Sequence, residues 1–380
     1  MNAAILYSNI FDHDTAEQML GGIETYLLNL ARVFQSLNIE PTIYQWSRTR
    51  FERSLGDILV IGMPVLKEPY KQRPATLFKM VLAEQKHKKS IFVFGTERQS
   101  VKTTLVRSVS IQHGIAWDLQ SQFLTNHKAI QRGVLGALYK AWLHRYYIEC
   151  FERCYNRVCV DYNFLNWYHT FKASDPPGRT WVIPNFTSCT STQQIKGFDR
   201  DKEEIKIIFA RRFCEYRGTR IMAEAATRIL AAYPHLSFSF AGEGPDENYL
   251  KQRFSADSRV HFIKYSPDNA LGVHCQHDIA VIPSLASEGT SLSVAEAMAA
   301  GCAVVATAVG GITNMIIDGY NGLLVSPDAC SLTDALTWLI EHPVERKKLA
   351  VNAYHVATEG FSLPKWQSRW RHVIETIVCE

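Results

Sequence analysis

Residues 278–301 read DIAVIPSLASEGTSLSVAEAMAAG, and the architecture is clearest there. The apolar run 279–282 ends at a proline, which predicts a short buried strand. A loop of small residues follows. A helix is predicted from near Thr290 to Gly301, because glycine commonly ends helices. A strand, a loop and a helix in this order are the repeating unit of a parallel α/β sheet.

The same order recurs along the whole chain. A first series of short apolar runs occupies residues 3–7, 41–44, 58–61, 91–94, 108–111 and 157–160, and a second occupies 181–183, 205–210, 236–241, 260–263, 279–282, 303–306 and 322–325. A small, polar segment, 187–194, separates them. We therefore predict an α/β protein with two Rossmann-like, doubly wound domains that face a central cleft, over 1–185 and 186–362. A final helix, 363–380, closes the second domain or, as we expect, packs back on the first.

Composition narrows the protein class. The 380 residues are 47% apolar and 21% charged, which is ordinary for folded domains and excludes a disordered tail or a fibrous repeat. Nine cysteines without a Cys-x-x-Cys pair indicate a reducing compartment and no zinc ribbon, so no metal is predicted. The first residues do not resemble a signal peptide, and no run approaches ~18 apolar residues. We expect a cytoplasmic protein.

Charge is unevenly distributed between the two halves. Residues 1–190 carry a net charge of +7 and residues 191–380 a net charge of −3. This asymmetry suggests that the first half meets an anionic surface or substrate, whereas nothing indicates nucleic acid.

The loop and helix after residue 282 predict a site for a phosphorylated, hydroxylated ligand. Gly289 permits close backbone approach, Thr290 and Ser291 offer hydroxyls, and a helix start is a natural seat for a diphosphate. Glu296 is placed to accept hydrogen bonds from a diol such as ribose, and Glu288 to hold a second hydroxylated group. The pattern alone also fits a solvated Glu288, a capping Thr290 and a surface Glu296.

Two further segments follow strands of the second series. Arg212 and Arg217 follow the run 205–210, where arginines can bracket a pyrophosphate and neutralise a leaving group. Gly242 lies in a glycine turn after the run 236–241. Taken alone, a basic loop is more often a solvated face, and the turn is too short for a dinucleotide fingerprint.

The first domain offers a smaller set of candidates. Gly21 and Gly22 precede the first predicted helix, where small residues allow a ligand near the helix start. His113 ends an apolar strand before a glycine, a better position for a functional histidine than most. A flexible loop tip and a structural histidine are the alternatives.

Taken in order, these pieces resemble glycosyltransferase family 4, the retaining, metal-independent, nucleotide-sugar-dependent enzymes with the GT-B fold. The resemblance rests on Ile183-Pro184-Asn185, on Arg212 to Gly218, on Ala241-Gly242-Glu243-Gly244-Pro245 and on Asp278 to Gly322. Glu288 and Glu296, with seven residues between them, match the two glutamates that characterise the family.

The resemblance implies roles for the matching residues. Glu296 would bind the ribose and Glu288 the donor sugar. Arg212 and Arg217 would contact the diphosphate, with Arg217 in the place of the usual lysine. The loop Gly289, Thr290, Ser291 and Leu292, the turn at Gly242 and the pair Gly21-Gly22 would surround the donor, and His113 would lie near the reacting sugar. Arg211 stands where the family usually has glycine, and we expect it to crowd the turn.

The resemblance predicts transfer of a hexose from a UDP- or GDP-sugar to a glycan or lipid-linked glycan, in bacterial surface polysaccharide or lipopolysaccharide synthesis, without a cofactor. A nucleotide-sugar epimerase or hydrolase and a silent nucleotide-sugar-binding subunit remain alternatives. The segment 131–155 mixes apolar residues with Arg132, Lys140, Arg145 and Arg153. Such a helix fits peripheral contact with the inner face of the cytoplasmic membrane, or an ordinary core helix with basic edges.

Overall fold

The computed structural model describes residues 1–15, 17–19, 21–85, 89–115, 133–187, 204–266 and 269–379. They form two compact units. Within the described ranges, the first unit contains residues up to 113, then 133–183 and 366–379; the second contains 114–115, 184–187 and the described residues from 204 to 365. Arg132 and most of the polar segment 187–194 lie outside the described residues.

The first unit is built on an eight-stranded sheet. Its strands are β1 (Asn2–Tyr7), β2 (Glu40–Trp46), β3 (Phe51–Leu55), β4 (Ile58–Met63), β5 (Ser90–Phe94), β6 (Ser108–Gln112), β7 (Asn156–Cys159) and β8 (Arg179–Val182). The strand order is β3-β4-β2-β1-β5-β6-β7-β8, and β3 pairs with β4 antiparallel whereas the other pairs are parallel. The helices are α1 (Gly22–Ser36), α2 (Arg73–Glu84), α3 (Gly133–Phe151) and α4 (Tyr162–Phe171).

The inner strands of this sheet are apolar because both of their faces are covered. Every residue of β5 is buried, as is all of β1 after its first residue. Such continuous runs are typical of parallel sheets with helices on both sides. Helix α1 buries Tyr26, Leu27, Leu30 and Phe34 on one face, which confirms the helical spacing of the apolar residues there.

The second unit repeats this construction with six parallel strands. These are β9 (Ile205–Ala210), β10 (Leu236–Ala241), β11 (Val260–Ile263), β12 (Ile279–Ile282), β13 (Ala303–Thr307) and β14 (Leu323–Val325), in the order β11-β10-β9-β12-β13-β14. The helices are α5 (Thr219–Ala232), α6 (Glu247–Arg253), α7 (Ala270–His274), α8 (Leu292–Ala299), α9 (Ala329–Glu341) and α10 (Pro343–Gly360). The predicted runs from 205 to 325 are confirmed as strands of this sheet, whereas the run 181–183, predicted to begin the series, overlaps β8 of the first sheet.

The last helix, α11 (Leu363–Val378), returns to the first unit, as predicted. It buries two tryptophans, Trp366 and Trp370, along one face with three aliphatic residues. The indole Nε1 of Trp370 donates a hydrogen bond of 2.8 Å to the hydroxyl of Tyr26 on α1. This helix therefore contributes to the core of the first unit although it follows the second in sequence.

None of the helices in the described ranges combines the length and the apolar character needed to cross a bilayer.

Candidate functional site

The second sheet has a topological switch point between β9 and β12. Strands β10 and β11 are added on one side of β9, and β12, β13 and β14 on the other. Ligands of open α/β sheets bind at the carboxyl ends of strands beside such a point. Arg211 directly follows β9, and Ser284 lies two residues after the end of β12. The geometry therefore directs attention to these two strand ends.

A cluster of charged side chains occupies this position. Glu288 Oε1 accepts a hydrogen bond of 2.6 Å from Arg211 Nη2 and lies 2.6 Å from Arg217 Nη1. The Ser284 hydroxyl donates to the same Oε1 atom and accepts from Arg211 Nη1. The Arg211 side chain is 3% exposed, whereas that of Arg217 is 32% exposed. Two of the predicted site residues, Arg217 and Glu288, are thus in direct contact.

Gly218 allows the two strand ends to approach each other. Its φ of +79° is in the left-handed region, and a Cβ atom there would lie 1.8 Å from the carbonyl oxygen of Pro283. Beside it, the Leu285 amide donates to the Tyr216 carbonyl at 3.0 Å. The short 3₁₀ helix Glu215–Arg217 is therefore held against the loop after β12, which brings Arg217 to Glu288.

Gly242 and Gly310 support the same cluster from behind. A Cβ atom on Gly242, whose φ is +133°, would lie 2.2 Å from the Arg211 carbonyl oxygen. A Cβ atom on Gly310 would lie 2.6 Å from the Glu288 amide nitrogen, and the Gly311 amide donates to the Glu288 carbonyl at 2.6 Å. In the structure, Gly242 therefore serves the close packing of Arg211, and its predicted contact with a donor stays a prediction.

Glu288 is a permanent negative charge. Burial alone would raise the pKa of its carboxyl, but Arg211 and Arg217 outweigh burial and hold that pKa well below its usual range. A carboxylate that stays ionised and already accepts three hydrogen bonds on one oxygen does not act as a proton donor. Its chemistry is to orient donors, from the protein or from a ligand.

The helix after this loop begins at Leu292, two residues later than the predicted start near Thr290. Ser291 has extended dihedral angles and stands at the N-cap, but its side chain makes no capping hydrogen bond. Ser291 therefore does not cap the first turn, and the start of a helix is suited to an anion. Gly301, with a φ of +74°, follows the end of α8 and confirms the predicted stop.

The loop before α8 is buried. Thr290 and Ser291 are 3% and 5% exposed, Gly289 is buried and Leu292 is half-buried. Asn185 Nδ2 donates to the Thr290 carbonyl at 2.6 Å and so anchors this loop. That the two hydroxyls face a ligand stays a prediction. The backbone of the loop is the part that is held in place.

Glu296 lies on α8, half-buried, and its carboxylate has no polar partner among the described residues. Burial raises its pKa to about 8, although the charge of Arg211 acts in the opposite direction. The charge of Glu296 in turn contributes to a raised pKa at Tyr265, so the two side chains are neighbours. A carboxyl group without a polar partner among the described residues can accept hydrogen bonds from the hydroxyl groups of a ligand, and does so best once it is ionised.

The two arginines after β9 lie in the opposite environments from those that the sequence suggests. Arg212, the predicted diphosphate ligand, is exposed, and its guanidinium makes no polar contact within the described residues. Arg211, expected only to crowd the turn, is buried and pairs with Glu288. The expectation for Arg211 is therefore wrong, because the turn accommodates it through Gly242 and Glu288 neutralises it. Ser284 was not predicted either.

In the first unit, the predicted residues lie at the start of α1 and directly after strand β6. The switch point of this sheet is between β1 and β5. Gly21 precedes α1 in an extended conformation and Gly22 is the first residue of that helix. Near it, the Tyr7 hydroxyl donates to Glu24 at 2.8 Å. The glycines are therefore at a helix start, as predicted.

His113 follows β6 and is half-buried. Its Nε2 lies 2.9 Å from the Gly95 carbonyl oxygen, and its ring meets the Tyr26 ring edge to face at 5.1 Å. Because a carbonyl only accepts, Nε2 carries the proton and Nδ1 is the acceptor. Burial lowers the pKa of His113 to about 4, so the imidazole is neutral near pH 7.

No three His, Cys, Asp or Glu side chains of the described ranges converge in a way that would hold a metal ion.

Residues 204–342, most of the second unit, match the model of the family Glycosyl transferases group 1. A D-inositol 3-phosphate glycosyltransferase of Frankia alni is 30% identical over 194 residues, which cover 47% of this chain and 46% of that protein. The chain therefore spans about half the length of that relative. A phosphatidyl-myo-inositol mannosyltransferase of Mycolicibacterium smegmatis is 23% identical over 331 residues, covering 84% of this chain and 81% of that protein.

Two solved structures resemble the whole chain. Sucrose-phosphate synthase from Thermosynechococcus elongatus has a TM-score of 0.75 at 16% identity and covers 100% of this chain and 99% of its own. WaaG, a glycosyltransferase involved in lipopolysaccharide biosynthesis, has a TM-score of 0.71 at 16% identity and covers 98% and 99%. These likenesses confirm the predicted GT-B fold of two Rossmann-like α/β domains.

Proposed function

We propose that this protein transfers a hexose from a nucleoside-diphosphate sugar to a hydroxyl group of a glycan or lipid-linked glycan, with retention at the anomeric carbon and without a metal ion. One observation carries the proposal. Arg217 and Glu288 lie 2.6 Å apart at the switch point of the second sheet. Glu288 belongs to the loop that leads to the start of α8, where Ser291 makes no capping hydrogen bond. Positive charge, a fixed carboxylate and free amide groups suit a diphosphate joined to a sugar.

The chemistry follows from these charges. The C–O bond between the sugar and the diphosphate breaks as positive charge develops on the anomeric carbon, so the barrier falls when the leaving diphosphate is stabilised. Arg217 and the amide groups of α8 supply that stabilisation. The acceptor oxygen then bonds to the anomeric carbon on the face that the diphosphate leaves, and its proton passes to a phosphate oxygen. This route needs no protein nucleophile.

The relatives support the acceptor class. One acts on phosphatidyl-myo-inositol, a lipid, and the WaaG structure belongs to lipopolysaccharide biosynthesis. We infer a glycan or lipid-linked glycan acceptor for this chain too, in the synthesis of a bacterial surface polysaccharide or lipopolysaccharide. UDP- and GDP-sugars are the donors we expect.

Donor binding and product analysis test the proposal. A thermal-shift screen of UDP-, GDP-, ADP- and dTDP-sugars should find a donor that raises the melting temperature, since a ligand of the folded state stabilises it. Incubation of that donor with and without glycan acceptors should give a glycosylated product only with acceptor. Release of free sugar without acceptor would indicate a hydrolase, and formation of an epimer would indicate an epimerase. Donor binding without any turnover would indicate a silent subunit.

Matched variants assign the roles. Arg217→Ala and Arg212→Ala should lower turnover at saturating donor, by about tenfold or more for the half-buried Arg217, because a charge-assisted hydrogen bond to the diphosphate is lost. Arg253→Ala removes an arginine on α6 that bonds only Thr227 and Tyr249, and should leave turnover unchanged. Wild-type turnover in the Arg212 protein would exclude that exposed arginine from the site.

We further propose peripheral contact with an anionic membrane through the first half of α3. Its C-terminal half is a core helix that buries Tyr147, Ile148, Cys150 and Phe151. Its N-terminal half exposes large apolar side chains beside the exposed Lys140. These apolar residues are Val134, Leu135, Leu138 and Trp142, between 51% and 76% exposed. An apolar stripe next to a cation is typical of an interfacial helix.

Sedimentation with vesicles of anionic lipid, at low and high salt, tests this contact. The wild type should bind at low salt, and the double variant Leu135→Ser, Leu138→Ser should not. Replacing the exposed Val344 of α10 in the second unit by serine is the control and should change nothing. Absence of binding at low salt would remove the membrane proposal while leaving the transferase proposal intact.

A further inference from the structure

The three polar contacts of the Glu288 side chain all involve one of its two carboxylate oxygens. Oε1 receives Arg211 Nη2, Arg217 Nη1 and the Ser284 hydroxyl. Oε2 has no polar partner among the described residues, and the Glu288 side chain is 11% exposed. One oxygen is therefore saturated by the protein, while the other remains able to accept a hydrogen bond.

The way Arg211 binds Glu288 explains this asymmetry. A guanidinium that faces a carboxylate usually spans both oxygens with two parallel hydrogen bonds. Here only Nη2 reaches Glu288, whereas Nη1 binds the hydroxyl of Ser284. Because the Ser284 hydroxyl binds one of the two terminal nitrogens of Arg211, the guanidinium does not contact Oε2.

Burial of a charged guanidinium costs free energy because the group loses its hydration. The Arg211 side chain is 3% exposed, and its Nε atom has no hydrogen-bond partner within the described residues. Desolvation of such a group is only partly repaid by one ion pair. Arg211 therefore needs an explanation beyond packing.

We propose that Arg211 is a positioning residue that orients Glu288 for the donor sugar. It holds Oε1, together with Ser284, so that Oε2 faces the ligand and accepts a hydrogen bond from a sugar hydroxyl. Arg217, which is ten times more exposed than Arg211, reaches the same oxygen through its own contact of 2.6 Å. The inference rests on the proposed function, because it assigns a partner to the sugar part of the same donor.

The two parts of the donor separate this role from a merely structural one. If Arg211 acts through Glu288 on the sugar, its loss weakens binding of the nucleotide sugar and not of the nucleoside diphosphate. If Arg211 only supports the loops, its loss weakens both ligands alike. The comparison of the two ligands is therefore the decisive measurement.

The experiment is a double-mutant cycle on the full chain with UDP and UDP-glucose as probes, or GDP and GDP-mannose if the wild type prefers guanine. Calorimetry gives Kd for wild type, Arg211→Gln, Glu288→Gln and the double variant. We expect Arg211→Gln to weaken binding of the nucleotide sugar by about tenfold and to raise the KM for it. The Kd of the nucleoside diphosphate should stay within about twofold of the wild-type value. The double variant should be no worse than Glu288→Gln, because the two residues act as one unit.

Two further variants keep the test decisive if Arg211→Gln fails to fold. Arg211→Lys retains the charge but loses the fork, and Ser284→Ala removes one donor to Oε1 without changing any charge. Both variants should weaken binding of the nucleotide sugar but not of the nucleoside diphosphate, and by a smaller factor than Arg211→Gln. Equal weakening of both ligands, or additive effects in the cycle, would overturn the role of Arg211 alone. A wild type that binds neither ligand would overturn the proposed function and this inference with it.

Discussion

At the scale of single residues, Glu296 connects nucleotide binding to pH. Burial raises the pKa of its carboxyl to about 8, so most of the free protein is protonated there at pH 7. A ribose diol that donates hydrogen bonds to Glu296 favours the ionised form. Nucleotide affinity should therefore rise as the pH increases from 6 to about 8, by up to about tenfold per pH unit, and then level off.

The pH dependence has a direct control. In Glu296→Gln, UDP should bind more weakly at pH 8.5, and its affinity should no longer depend on pH between 6 and 8.5. Calorimetry in buffers of different ionisation enthalpy should also show proton release in the wild type below pH 8 and none in the variant. A wild-type affinity that is flat with pH would separate Glu296 from the ribose.

At the scale of elements, the site depends on how closely two loops approach each other. Gly218 has both a left-handed φ and a carbonyl of Pro283 where its Cβ would lie. Gly218→Ala should therefore destabilise the protein by more than the ~1–2 kcal/mol of a left-handed alanine, and should weaken donor binding by displacing Arg217. Urea unfolding and donor KM measure the two effects.

Gly56 supplies the matched control for this substitution. It has a similar φ of +60° in the turn between β3 and β4, but nothing lies within 4 Å of its Cβ position. Gly56→Ala should show the dihedral cost alone and leave donor KM unchanged. Equal losses of stability in the two variants would mean that the clash with Pro283 is relieved by a small shift of the loop.

The elements themselves were largely predictable, because parallel strands that are covered on both faces consist of uninterrupted apolar runs. The exception is β3, which was missed. Its central residues Glu52, Arg53 and Ser54 are exposed, and it pairs antiparallel at the edge of the sheet. A charged edge strand carries no apolar signal, since nothing buries it. The start of α8 was predicted two residues early, because the backbone geometry at the N-cap, and not the composition of the loop, decides where a helix begins.

At the scale of the whole molecule, residues that are distant in sequence meet at one site, and this limits what sequence patterns can show. Arg217 and Glu288 were predicted because each follows a strand and matches a known motif. Arg211 was misjudged because its partner Glu288 lies 77 residues away. Local pattern cannot distinguish a buried, paired arginine from a solvated one, since only the folded sheet brings the ends of β9 and β12 together.

The same long-range assembly makes the C-terminal helix a test of the fold. Trp370 is fully buried in the first unit and bonds Tyr26, although it follows the second unit in the chain. Trp370→Ala should destabilise the protein by about 3–5 kcal/mol, from lost packing and an unpaired tyrosine hydroxyl. Hydrogen exchange should quicken in residues 21–85 and stay unchanged in residues 269–360. Trp338→Ala, at a 37% exposed tryptophan on α9, should cost under about 1 kcal/mol. Faster exchange confined to the second unit in the Trp370 variant would contradict the placement of α11.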